Sequence, residues 1–181
     1  MRIIAGRAGG IKLKSLKTNK VRPTLDRVKE ALFSMLLPYM PMEKGLDLFA
    51  GFGTLGLEAV SRGVNLMTFV EKNRRHLNII KENVKKCKFD EMSKIIQNDV
   101  FRFLNQTNNK YDIVFLDPPY NKNLVNKTLN LLLKNNLLHN ESLIIVEHHK
   151  GEVIKDIEQL IVIKDRNYND TVIKVYLYKE E

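Results

Sequence analysis

Ile113-Val114-Phe115-Leu116-Asp117-Pro118-Pro119-Tyr120 decides the fold. Its apolar half has no polar alternation, as in a strand of a parallel sheet covered on both faces, and the two prolines stop the ladder because neither can donate to it. A carboxylate and an aromatic ring are left at the strand's carboxyl end, the edge at which open α/β sheets bind ligands. Asp117 and the carbonyl of Pro118, a residue with no N–H of its own, offer two acceptors that suit both hydrogens of a planar NH₂ group. Tyr120 stands ready to stack on the ring carrying that amine. Asp and Pro are also common in ordinary strand-to-loop turns, so the tetrapeptide takes its meaning from the rest of the chain.

Outward from it, strand-like and helix-like segments alternate. Strands are predicted at about 45–49, 66–71, 94–98, 111–117, 142–147, 159–165 and 171–178, with helices near 54–62, 73–87, 99–105 and 122–134. An earlier helix, capped by Thr24, carries Val28, Ala31, Leu32, Met35 and Leu36 at helical spacing and ends at Pro38 and Pro41. Strand alternating with helix implies a parallel sheet with right-handed crossovers. The last two strands are too close for a helical crossover and form an antiparallel pair. The expected fold is α/β and Rossmann-like, a seven-stranded, mostly parallel sheet with one antiparallel strand.

The first strand, Leu46-Asp47-Leu48-Phe49-Ala50, runs into Gly51-Phe52-Gly53-Thr54-Leu55-Gly56 and then into a helix. Two glycines permit a tight turn close to a ligand, and the third permits close packing of helix on strand. Glu71 ends the second strand, where a carboxylate can accept from a ribose diol. Asp99 follows the third and suits either an adenine amino group or the cap of the next helix. Asp47, Gly51, Gly53, Glu71, Asp99 and Asp117 therefore gather at the carboxyl ends of four strands. No phosphate loop ending Gly-Lys-Ser/Thr is present, which disfavours a P-loop nucleotidase. An NAD-type dinucleotide and S-adenosylmethionine both remain open. The second has no phosphate and carries two positive charges, so acids beside the glycine turn suit it better.

At 181 residues with 44% hydrophobic content, one domain with a substantial core is expected. Cys87 is the single cysteine and reads as a structural thiol in a helix. His148-His149 has no further ligand at metal spacing, so no metal is expected. No signal-peptide core or membrane-length apolar run occurs, and a cytoplasmic protein without membrane association follows by default.

The net charge of +9 is concentrated. Residues 1–30 hold nine Lys and Arg against Asp26 and Glu30, and residues 1–22 contain no acid. Such a segment repels itself unless it meets a polyanion, and phosphate contacts are the usual source of that affinity. Apolar residues on either side of Gly9-Gly10 predict a short basic hairpin, an arm over 1–22 ahead of a catalytic domain over 23–181. Arg2, Arg7, Lys12, Lys14 and Arg22 are its expected contacts to a phosphate backbone.

Asp47 to Gly56 resembles the first motif of class I S-adenosylmethionine-dependent methyltransferases, and Asp117-Pro118-Pro119-Tyr120 resembles the catalytic motif of those that methylate exocyclic amines. Longer stretches are similar to the RsmD family of bacterial methyltransferases: Met1 to Gly6, Arg22-Pro23-Thr24 with Asp26 to Phe33, Leu57-Glu58-Ala59 with Ser61-Arg62-Gly63, Phe69-Val70-Glu71, Val146-Glu147-His148 and Asp170-Thr171. The resemblance implies methylation of N2 of one guanine, position 966, in 16S ribosomal RNA. It implies S-adenosylmethionine held by Asp47, Ala50, Gly51, Gly53, Glu71, Asp99 and Val100 and catalysis at Asp117, Pro118, Pro119 and Tyr120. With so little chain outside the catalytic domain to read one guanine, the expected substrate is 16S RNA within an assembled or assembling small ribosomal subunit, and a monomer is expected. Two departures are a Phe at position 52, where a small residue is usual, and an Asn at 169, where Gly is common. Rivals on the same residues are an N6-adenine DNA or RNA methyltransferase, an NAD-type oxidoreductase and a non-catalytic RNA-binding protein.

Overall fold

The computed structural model describes residues 1–16, 23–119 and 123–180. After helix α1 (Pro23–Leu36), the chain alternates β1 (Met42–Leu48), α2 (Thr54–Ser61), β2 (Val64–Glu71), α3 (Arg74–Cys87), β3 (Ser93–Gln97), α4 (Val100–Gln106), β4 (Tyr111–Leu116) and α5 (Leu124–Lys134). It closes with three strands, β5 (Leu138–His149), β6 (Leu160–Tyr168) and β7 (Thr171–Tyr178). Pro23 opens α1, one residue ahead of the expected cap at Thr24, a first-turn position where the missing N–H has no helical partner to lose.

One seven-stranded sheet runs in the order β3-β2-β1-β4-β5-β7-β6. All neighbours are parallel except those of β7, which is antiparallel to both β5 and β6, so a single strand is reversed as expected. The strand order turns back between β1 and β4, whose register pairs Leu46 with Val114 and Leu48 with Leu116. Loops leaving two such strands part in opposite directions and open a crevice at their carboxyl ends.

Alternation along the strands divides the core in two. Ile113, Phe115, Leu143, Ile145, Ile173 and Val175 pack under α1, α2 and α3. Val114, Leu116, Ile144, Val146 and Tyr176 pack under α4 and α5. Cys87 is buried in the first of these layers, as a structural thiol should be.

Two strands are longer than their apolar patterns. β5 starts at Leu138, which pairs with Tyr111 ahead of a register shift, and the polar stretch His139-Asn140-Glu141 hides that start. β6 continues through exposed Asp165-Arg166-Asn167 because an edge strand needs an apolar face only where something covers it. The turn to β7 places Asn169 at φ 58°, a left-handed conformation that Gly adopts without cost and Asn tolerates better than most residues. Among the described residues, no helix is long and apolar enough to cross a membrane.

The basic amino-terminal segment is a hairpin folded onto this body. Arg2 and Lys12 form an antiparallel bridge, with backbone bonds from Ile3 N to Ile11 O and from Leu13 N to Met1 O. Ile3, Ala8 and Leu13 are buried in the α1–α3 layer. Gly6, at φ 83°, lies so close to the Ser61 carbonyl that a side chain has no room.

Candidate active site

Glu58, wholly buried near the end of α2, ties hairpin and body together. Its Oε2 accepts from Ile4 N at 2.8 Å and its Oε1 from Ala5 N at 3.1 Å. Arg62 Nε lies 2.8 Å from Oε1 and Lys29 Nζ 3.2 Å from Oε2. One carboxylate thus satisfies two backbone donors of the hairpin and two nearly buried cations. Burial lowers the Lys29 pKa, and the Glu58 charge opposes that shift.

The glycine turn after β1 is held from two sides. Asp47, 3% exposed, accepts from Gly56 N at 3.0 Å, and the Glu71 carboxylate accepts from Gly51 N at 2.9 Å and Asn73 N at 2.7 Å. Gly51 and Gly53 adopt φ 57° and 77°, so glycine is required for the path of the chain. Gly56 abuts the Phe69 ring and the Asp47 carboxylate, where a methyl group has no space. Burial drives the Asp47 pKa up from 3.8 to about 7; the Gly56 N–H pulls it down, and the Glu71 charge adds to the rise. Phe52 keeps the turn intact: its carbonyl accepts from Asn83 Nδ2 at 3.1 Å and its ring meets His76 edge-on at 5.0 Å.

Two clefts open at this sheet edge. The larger, about 540 Å³, is lined by Glu71, Asn73, Asp99, Val100, Phe101 and Pro118 among others. The smaller, about 300 Å³, lies on the α1 side, between the glycine turn and a far wall that includes Met1, Asp26 and Lys29. Phe49, Gly51 and Asp117 line both. Asp117 is an exposed residue that lines both concavities. Its pKa is raised well above 3.8, first by desolvation of the carboxyl at the junction of the clefts and then by the charges of Glu147 and Asp47.

The expected cofactor residues divide among the elements of this edge. Gly51, Glu71, Asp99 and Val100 line the larger cleft, and Ala50 lines the smaller. Asp47 and Gly53 lie behind the turn and outside both linings. Asp99 caps α4, its Oδ1 accepting from Phe101 N and Arg102 N, so the capping role weighed in the sequence is realised while the residue also faces the larger cleft. Of the amine-holding motif, Asp117, Pro118 and Pro119 line the larger cleft; Tyr120 lies outside the described residues.

On the hairpin, Arg2 Nε stands 3.6 Å from Asp26, Lys14 Nζ 2.6 Å from Glu82, and Arg7 Nη2 donates to Val60 O at 3.1 Å. Lys12 is exposed, and Arg22 lies outside the described residues.

Two site residues had no assigned role in the sequence reading. Phe49 reads there as the last strand residue, yet it stands at φ 58° in the partition between the clefts, edge-on to Phe101 at 6.5 Å. A phenylalanine gives no sequence signal for that conformation. Glu147 carries the same signal as Asp117, a carboxylate at the carboxyl end of a strand, and it lines the smaller cleft.

The sheet order, its single reversed strand and a site built on the turns after β1, β2, β3 and β4 define the class I methyltransferase fold. The family model described as Conserved hypothetical protein 95 matches residues 1–177. The chain is 38% identical to ribosomal RNA small subunit methyltransferase D of Haemophilus influenzae, over 97% of this chain and 93% of that protein. It is 39% identical to the Escherichia coli protein of the same name, over 81% and 74%. The solved structure of Escherichia coli yhhF superposes with a TM-score of 0.89 at 32% identity, covering 100% of this chain and 99% of that one. The chain belongs to the RsmD family of ribosomal RNA small-subunit methyltransferases.

Proposed function

We propose that this protein transfers the methyl group of S-adenosylmethionine to the exocyclic N2 amine of one guanine in 16S ribosomal RNA, the position that the family implies. The observation carrying this reading is Asp117, the one carboxylate among the described residues that lines both clefts, so that cofactor and target can meet at it.

The residues of the larger cleft fit the cofactor. Glu71, Asp99 and Asp117 bring three carboxylates to a ligand with an ammonium and a sulfonium, and the same charges would repel the pyrophosphate of a dinucleotide. Glu71 already accepts two backbone N–H groups and keeps lone pairs for a ribose diol. Val70, Val100, Phe101 and Leu124 supply apolar surface for a purine. Bound there, S-adenosylmethionine supplies an electrophilic methyl group.

Asp117 and the Pro118 carbonyl hold the amine. The N2 lone pair is delocalised into the guanine ring and is a weak nucleophile until the nitrogen pyramidalises. Acceptors on both N–H bonds favour that geometry and fix the direction of the lone pair. After transfer the nitrogen is acidic, and Asp117 or water takes its proton. The target base leaves its stack to enter the smaller cleft, and Tyr120 stacks on it. Arg2, Arg7, Lys12, Lys14 and Arg22 bind phosphates and add affinity more than sequence choice. The arm over 1–22 serves the RNA and the domain over 23–181 the chemistry, in the cytoplasm, as a monomer.

Small subunits lacking the modification, incubated with labelled S-adenosylmethionine and digested to nucleosides, test the reading. Label in N2-methylguanosine at a single position is expected. Label in an adenine, or none in RNA, overturns it.

A further inference from the structure

Asp117 and Glu147 occupy equivalent places on neighbouring strands. β4 and β5 are parallel, with Leu116 paired to Val146, so positions 117 and 147 lie one step past the last pair and on the same face. Their backbones are roughly 5 Å apart at the spacing of adjacent strands. That face is the one covered by α1, and both residues line the same cleft of about 300 Å³.

The mechanism leaves one group on the guanine without a partner. Asp117 and the Pro118 carbonyl are used on the two N2 hydrogens, yet the adjacent N1–H also enters the cleft and needs an acceptor, since a buried donor left unpaired is costly. Val28, Leu32 and Ile173 present apolar side chains, and the Lys29 ammonium is a donor already bound to Glu58 and the Arg2 carbonyl. Asp26, the other carboxylate of this cleft, lies on the far wall with Arg2 Nε 3.6 Å away, whereas Glu147 is the acceptor beside Asp117.

We propose that Glu147 reads the target base by accepting its N1–H while Asp117 holds the N2 amine, so that the pair selects guanine over any purine with a lone pair at N1. This rests on the guanine-N2 reading above. Adenine, with a bare N1, would set its lone pair against the Glu147 carboxylate, so the residue acts by repulsion as well as attraction.

2-Aminopurine tests this, since it keeps the amine at C2 but has a lone pair at N1. Small subunits are reconstituted with RNA carrying either guanine or 2-aminopurine at the mapped target, and kcat/KM is measured for wild type and Glu147→Gln. Wild type should prefer guanine by roughly 100-fold or more, because a carboxylate meets a lone pair in the analogue. The Glu147→Gln amide can turn its NH₂ toward N1, so the preference should fall by about tenfold or more. Loss of the O6 atom in the analogue affects both proteins alike and leaves that change intact. A second readout is independent of turnover: 2-aminopurine fluorescence, which changes as the base exchanges its RNA stack for the cleft, should titrate at lower protein concentration with Glu147→Gln than with wild type.

Equal kcat/KM on the two bases in wild type overturns the assignment whatever the variant does. An unchanged preference in a folded Glu147→Gln, checked by circular dichroism and by calorimetry with the cofactor, overturns it also. If wild type forms no N2-methylguanosine at all, the functional reading fails first, and the nucleoside analysis separates that result from the other two.

Discussion

Phe49 lies between two ligand-sized spaces in a backbone conformation that its residue type disfavours, with its ring 6.5 Å from that of Phe101 and at 73° to it. The positive φ is a local cost that turns the chain out of β1 and sets an aromatic wall between the clefts. Phe49→Gly removes both the strain and the wall. Stability should change by less than about 1.5 kcal/mol, because relief of strain offsets the lost packing. Turnover should nonetheless fall at least tenfold; urea unfolding beside a methyl-transfer assay separates the two effects.

Asp117 gives a pH dependence with a definite sign. Its carboxyl is held above the ordinary aspartate range by desolvation between the clefts and by the charge of Glu147, and the neutral acid is a weaker acceptor for the amine than the carboxylate. Activity should therefore rise with pH as Asp117 ionises. In Asp117→Asn the amide oxygen does not titrate, so the rise should flatten. Asp117→Ala should lose roughly 100- to 1,000-fold in kcat while RNA affinity is nearly unchanged. A pH–rate profile of the three proteins, with RNA binding measured alongside, checks this.

Asp47 makes a prediction about stability. Its pKa is raised from 3.8 to about 7 in the folded protein, so between those values the unfolded chain has lost a proton that the folded one keeps. Folding stability is favoured below the window and decreases as pH rises through it, by about 1.4 kcal/mol per pH unit at most. Asp47→Asn retains an acceptor for Gly56 N–H without the charge. Its advantage over wild type in thermal unfolding of the cofactor-free protein should grow from pH 4 to pH 7 and then level. An advantage independent of pH would contradict this.

Glu58 is the joint of the hairpin. Glu58→Ala strands nearly buried Lys29 and Arg62 and frees the donors of Ile4 and Ala5, so it should cost about 3–5 kcal/mol. Limited proteolysis should then cut first within residues 1–16. Glu58→Gln, which keeps the acceptors but not the charge, should lie between.

The readout of one guanine in a long RNA calls for more than the contacts of a short basic hairpin. Assembled small subunits should be methylated faster than bare 16S RNA; equal rates would show that shape and bound ribosomal proteins are not needed.

Much of this was legible in the sequence because the chain states it twice, in pattern and in motif. The apolar run before Asp117 and the glycine turn after Asp47 fix two central strands, and the alternation around them supplies the order of the rest. Asp99 could be read two ways because one side-chain type serves both, and the structure realises the cap beside the cleft. Asp47 was expected to face the cofactor. Its burial beneath Gly56 depends on how tightly α2 packs on β1, which no local pattern encodes. The contacts of Lys29, Ala5 and Ile4 with Glu58 join residues 29, 53 and 54 positions apart, beyond the reach of periodicity. In the sequence Glu147 stands out only within Val146-Glu147-His148, a stretch similar to the family; its place beside Asp117 follows once β4 and β5 are known to be neighbours.

The central claim is that cofactor and target base occupy different clefts and meet at Asp117. A crystal structure with S-adenosylhomocysteine tests it most directly. The account predicts the ligand in the larger cleft, its ribose on Glu71, its adenine beside Asp99 and Val100 and its sulfur toward Asp117, with the space between Lys29 and Glu147 left open. Density for the ligand in that second space would contradict it.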